Sequence, residues 1–95
     1  MKNPLKPNAY DYDDAGRRNA ARHCDRLREF EAALTGSTGA EAVRLACMYL
    51  HDSQSSVAAY AGLSRSRVSE LKRKKAPTKA DQNALIAAFM RRWII

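Results

Sequence analysis

Cysteine, proline and glycine are all scarce in this sequence: two, three and four residues among 95. Two cysteines do not make the dense disulfide framework of a small secreted domain. Cys24 and Cys47 lie far apart without a CxxC pattern, and His23 and His51 do not join them at metal-ligand spacing. Both cysteines fall on the apolar side of an expected helix, so they read as buried free thiols in a reducing cytoplasm. No apolar run approaches the length of a membrane span. The opening MKNPLKPNAYDYDD has no hydrophobic segment of signal-peptide length, which leads us to expect a cytoplasmic location. Also missing are a phosphate-cradling glycine loop, a Ser/His/Asp set and a paired-carboxylate site. An enzyme, a cofactor and a metal are therefore not expected. Asp11, Asp13 and Asp14 sit together as metal ligands do, but carboxylates just before a helix read first as caps.

Acidic residues are the next scarcity, and it is uneven. Residues 1–50 carry eight Lys/Arg against seven Asp/Glu, whereas residues 51–95 carry nine against three. Nearly all of the net charge of +7 thus belongs to the second half. That asymmetry points to a polyanionic partner. A membrane surface is disfavoured, because the basic segment lacks a broad apolar face beyond its few core anchors.

The remaining patterning is helical throughout, and the expected fold is all-α: a small bundle of about five helices. Pro4 and Pro7 mark residues 1–13 as an extended or flexible arm, whose Lys2 and Lys6 are available to a minor groove. Residues 14–95 read as a single domain. Its first helix carries Ala20, Cys24, Leu27, Phe30 and Leu34 on one side, with arginines facing outward as a solvated or phosphate-contacting face, and stops at Gly36. Thr38-Gly39-Ala40-Glu41 is a capping box that opens a second helix, running to about Leu50. This helix has a stripe of Val43, Ala46, Cys47 and Leu50, widened by Leu45, Met48 and Tyr49, and should be central. Asp52 or Ser53 can cap the third helix and Ser64 the fourth, expected to run through the lysines to Pro77. Thr78 to Asp81 starts the last helix, with Leu85, Ile86, Phe89, Met90, Trp93 and Ile94 along a seam. That seam closes the core or meets a second copy of the chain, with Leu85, Phe89, Met90 and Trp93 as the candidate dimer contacts.

The segment QSSVAAYAGLSRSRVSELKR, Gln54 to Arg73, imposes more specific demands. With Gln54 as position one, apolar anchors fall at four, eight, ten, fifteen and eighteen: Val57, Ala61, Leu63, Val68 and Leu71. Ala58, at five, is small enough for two helices to cross. Gly62, at nine, tolerates the positive φ of a tight turn. Tyr60 is either a partial core residue or a phosphate donor. At about 100° per residue, Val68 and Leu71 define the inward face of the second helix of the pair. Ser66, Ser69, Glu70 and Arg73 then point outward, and Arg65 stands at the N-terminal end.

This pattern resembles the DNA-binding motif of bacterial helix-turn-helix repressors, the class that includes phage repressors and Cro. The wider stretch is similar to plasmid repressors of the TrfB/KorA type. There, Phe30, Ala33 and Gly36 precede a helix ending at Leu50-His51-Asp52, and the motif closes with Gly62-Leu63-Ser64-Arg65 and Val68-Ser69. The resemblance implies a compact helical domain of bacterial, plasmid or phage origin that forms a homodimer on palindromic operators and represses promoters. No small-molecule effector is evident. In such a motif the helix over 64–75 enters the major groove of double-stranded DNA, and Arg65, Ser66, Ser69, Glu70 and Arg73 are the candidates for base readout. Arginine pairs with guanine O6 and N7, serine with several edges, and glutamate with cytosine N4. Glu70 has an alternative partner in Lys74, four residues on. Gln54, Ser55, Ser64, Arg67, Lys74 and Lys75 are placed for phosphate. The competing reading is a non-sequence-specific nucleoid-type or adaptor protein on the same fold.

Overall fold

Every helix start that could be read from a hydroxyl and its spacing is found in the computed structural model, which describes residues 22–94. Helix α1 is described over residues 22–35. It is followed by α2 (Gly39–Leu50), α3 (Gln54–Ala61), α4 (Arg65–Lys72) and α5 (Lys79–Trp93). Among the described residues all regular structure is helical, so the class is all-α. The expected arm over residues 1–13, with Lys2, Lys6 and the Asp11 to Asp14 cluster, lies outside the described residues, as does Ala20.

Each start is fixed by a side chain that takes up an otherwise orphaned amide. Thr38 Oγ1 accepts from Glu41 N at 3.1 Å while Glu41 Oε1 accepts from Thr38 N at 2.9 Å, which completes the capping box. Ser53 caps α3 by accepting from Ser56 N at 3.2 Å, and Asp52 accepts from Ser53 N. Ser64 caps α4 through Arg67 N at 3.1 Å. Thr78 and Asp81 form a second reciprocal box at α5.

The helix ends are equally specific. Gly62 has φ 71° and ψ 29°. Its N–H donates to Ala59 O, and Leu63 N–H donates to Ala58 O at 2.9 Å, the paired bonds of a Schellman ending. The end of α2 closes in the same way, with His51 in the left-handed position at φ 55°. A histidine there carries a steric cost that glycine does not. The sequence offers no glycine at this turn to announce it.

The core gathers one stripe from each helix: Phe30 and Leu34 from α1, Val43, Ala46 and Leu50 from α2, Val57 and Ala61 from α3, Val68 and Leu71 from α4, and Leu85, Ala88 and Phe89 from α5. Phe30 stacks on Tyr49 and tilts against Phe89, which joins α1 to α2 and α5. Leu85 and Phe89 are 1% and 0% exposed within a single chain. Neither can offer surface to a second copy, which corrects their assignment as dimer contacts. The seam of α5 closes the core, and of its candidates only Met90 and Trp93 keep part of their surface. Helix α2 is less enclosed than its composition implied, because Met48 is 59% exposed. Cys24 is exposed and Cys47 half-buried, so the expectation of two buried thiols is corrected. Burial pushes the Cys47 thiol above its ordinary pKa, with Asp52 adding to the effect and Lys72 opposing it.

One crossing depends on a missing Cβ. The first residue of α2, Gly39, donates its N–H to Lys74 O at 3.0 Å. A Cβ at Gly39 would come within 1.8 Å of Leu71 O. The amide end of α2 therefore abuts the carbonyl end of α4, with partial charges that attract. At the far end of the bundle, Trp93 donates Nε1–H to Tyr49 O at 3.0 Å. His23 stacks on its ring at 5.3 Å, His51 meets it edge-on, and Arg92 lies 4.0 Å from its centroid. Arg26 also donates to Tyr49 O, and packs over Tyr49, Phe89 and Trp93. The outward orientation expected of the α1 arginines thus does not hold for Arg26.

Candidate nucleic-acid interface

The α3–turn–α4 unit is placed by carbon rather than by charge. Val68 and Leu71 are 4% and 1% exposed, and each contributes about 1.5–3 kcal/mol by its burial. The ion pair on the outer face of α4, Arg67 Nε to Glu70 Oε1 at 3.6 Å, joins two exposed side chains and adds under about 1 kcal/mol. The apolar edge therefore sets how α4 is rolled, and the polar residues take what remains. Arg65, Ser66, Ser69, Glu70 and Arg73 are all exposed. With period 3.6 and two inward anchors three apart, they share the outward arc of one short helix.

Three assignments change. The fourth helix stops at Lys72, short of the expected 64–75, and Arg73 is its C-cap with φ −92° and ψ −6°. Arg73 N and Lys74 N bond back three residues, to Glu70 O and Leu71 O, tightening the last turn. Lys74 O is then taken by Gly39, and Pro77 lies too close ahead for the helix to resume. Second, Lys74 does not stand among the outward cations. Its Nζ donates to Asp81 Oδ2 at 2.7 Å, and the Asp81 side chain is 4% exposed. Third, the alternative partner of Glu70 is Arg67, not Lys74.

Asp81 is the best-buttressed ionisable group among the described residues. Burial pushes its pKa up, but the Lys74 ammonium and the bonds from Thr78 outweigh it and hold the carboxyl below its ordinary value. Thr78 N donates to Asp81 Oδ2 at 3.0 Å. One carboxylate thus caps α5 and ties down the chain that leaves α4. Asp52 is also held low, first by the Ser53 amide and then by the Ser56 hydroxyl; its burial opposes and Arg92 assists.

Of the other phosphate candidates, Ser55, Arg67 and Lys75 are exposed. Ser64 is exposed too, though its hydroxyl is used in the cap. Gln54 Oε1 accepts from Lys72 Nζ at 3.2 Å, a tie between the start of α3 and the end of α4. The sequence shows Lys72 only as part of a basic run, since two polar residues eighteen apart give no periodic signal of this tie. Among the described residues no carboxylate pairs with Arg65, Arg73 or Lys75. Tyr60 resolves towards the core reading: it is half-buried and packs on the core, while its carbonyl accepts a bond from Arg91.

Between α3 and α4 lies a cleft of about 300 Å³. Val68, Ala58 and Leu63 supply its covered floor, and Gln54, Ser55 and Arg65 its exposed rim. Among the described residues, no group of three or more His, Cys, Asp or Glu side chains is placed to hold a metal ion. Among them, too, no helix is long and apolar enough to cross a membrane. No protein-family model, no curated protein and no solved structure matches the chain.

Proposed function

We propose that the protein is a sequence-specific, double-stranded-DNA-binding transcriptional regulator, a repressor in the manner of the helix-turn-helix class that its sequence resembles. In this reading α4 enters the major groove. Arg65, Ser66 and Ser69 meet base edges, and Arg73 does so from the last turn. Glu70 either accepts from a cytosine or stays with Arg67. Ser55, Arg67, Lys72 and Lys75, with the amide ends of α3 and α4, meet phosphates on the flanks.

The observation that carries the reading is the outward face of α4. It is a short helix docked by two aliphatic residues, with every polar side chain exposed and a cation at each end. The uneven charge supports it, with most of the +7 lying in residues 51–95. A unit this small gains specific affinity most simply by doubling its contacts, so the functional form is a homodimer on an inverted repeat. The setting is cytoplasmic, in a bacterium or on a plasmid or phage it carries.

Selection of bound duplexes from a random DNA pool, at near-physiological salt, tests the proposal. The expected product is an inverted repeat with half-sites about one helical turn apart, roughly 34 Å. Binding without any enriched sequence would instead make the chain a non-sequence-specific nucleoid-type or adaptor protein.

A further inference from the structure

The cleft between α3 and α4 joins an apolar floor to a charged edge. Its floor is aliphatic, built from Val68, Ala58 and Leu63. Its exposed rim carries Gln54, Ser55 and the cation of Arg65 beside Ala59, and no carboxylate lines it. An occupant must therefore present a small apolar group from a body that is polar and negatively charged. Duplex DNA has one such group in its major groove, the C5-methyl of thymine; the other three bases show only donors and acceptors there.

We infer that this cleft receives a thymine methyl group, so that the chain reads one thymine by apolar contact beside the base pair read by Arg65. The inference rests on the DNA-binding reading above. Its location follows from Arg65, which belongs both to the rim and to the N-terminal end of α4. The thymine is therefore expected within one base-pair step of the guanine that Arg65 pairs with. Ala58 takes on a second role. It is small enough for α3 and α4 to cross, and the same smallness leaves the floor open.

The test uses the full chain and the duplex recovered by selection. Each thymine in turn is replaced by deoxyuridine, which removes the methyl and leaves the Watson–Crick pairing unchanged. Replacement of the one thymine concerned, in a single half-site, is expected to weaken binding about fourfold, the effect of burying one methyl-sized group. Leu63→Ala should bring that thymine-to-uracil ratio close to one, with thermal unfolding showing that the variant is folded. If Leu63→Ala does not fold, Ala59→Ser replaces it. Ala59 is exposed and also lines the cleft, and the hydroxyl should bring the ratio below about twofold. A preferred sequence whose thymines can all be replaced without loss would overturn the cleft assignment and leave the DNA-binding reading standing. A thymine dependence that both variants leave unchanged would place the methyl elsewhere and overturn it equally. No preferred sequence at all would remove both readings together.

Discussion

Arg65 and Asp81 are both charged, and the structure separates their work. Arg65 is exposed at the start of α4, and its loss should be felt only by the ligand. Arg65→Ala is expected to cost about 1–3 kcal/mol on the preferred duplex and to relax the choice at one base pair, while the melting temperature stays put. Competition binding against duplexes altered at that pair checks it. Asp81 should be felt only by the fold. Its carboxyl is held below the ordinary value in the native state, so the unfolded chain takes up a proton first as pH falls. The stabilisation is therefore fully present above the unfolded pKa of about 3.9, and is lost as pH falls through the lower native value. Asp81→Asn should lower stability at neutral pH and flatten the decline below about pH 4. Denaturant unfolding across pH would show this. An acid limb as steep as in the unaltered chain would mean that Asp81 is not its source.

At the scale of the helix, what could be read from the sequence was local chemistry, and what could not was contact between distant segments. The boxes at Thr38 and Thr78, the caps at Ser53 and Ser64 and the turn at Gly62 each need only a few neighbouring residues, and each stands where its spacing placed it. The inward face of α4 followed from period alone. The early end of α4 was hidden, because it depends on Gly39, at the start of α2, and on a tie to Asp81 in the next helix. The last seam was legible as apolar but not as to what it covers, since a stripe looks the same whether it meets its own core or a copy. The first residue of α2 shows how strict such distant contacts are. Gly39→Ala drives a Cβ into the backbone of Leu71, where no rotamer can relieve it. The expected loss is about 1–3 kcal/mol, or more if α4 is pushed off α2. Thermal unfolding should show it as a drop of roughly 4–8 °C per kcal/mol, typical of a domain this size. An unchanged melting temperature would remove the close crossing of α2 and α4.

At the scale of the whole molecule, the positive charge should make DNA affinity fall with salt. Lys75→Ala should weaken binding to every duplex alike and reduce the slope of log affinity against log salt by about one. Lys74→Ala, which removes the ammonium held by Asp81, should instead show itself mainly as lost stability. Titrations at several salt concentrations, beside melting curves, separate the two lysines. Equal slope changes would return Lys74 to the phosphate-contacting set. The opposite end of the bundle has its own use. Trp93 is the chain's one tryptophan, and its ring is held by His23 of α1, His51 after α2 and Arg92 of α5, with its N–H on Tyr49. None of these partners belongs to α3 or α4. The chain's intrinsic fluorescence is therefore a gauge of whether α1, α2 and α5 are assembled. It should stay quiet while α4 is occupied and change colour only when the bundle comes apart.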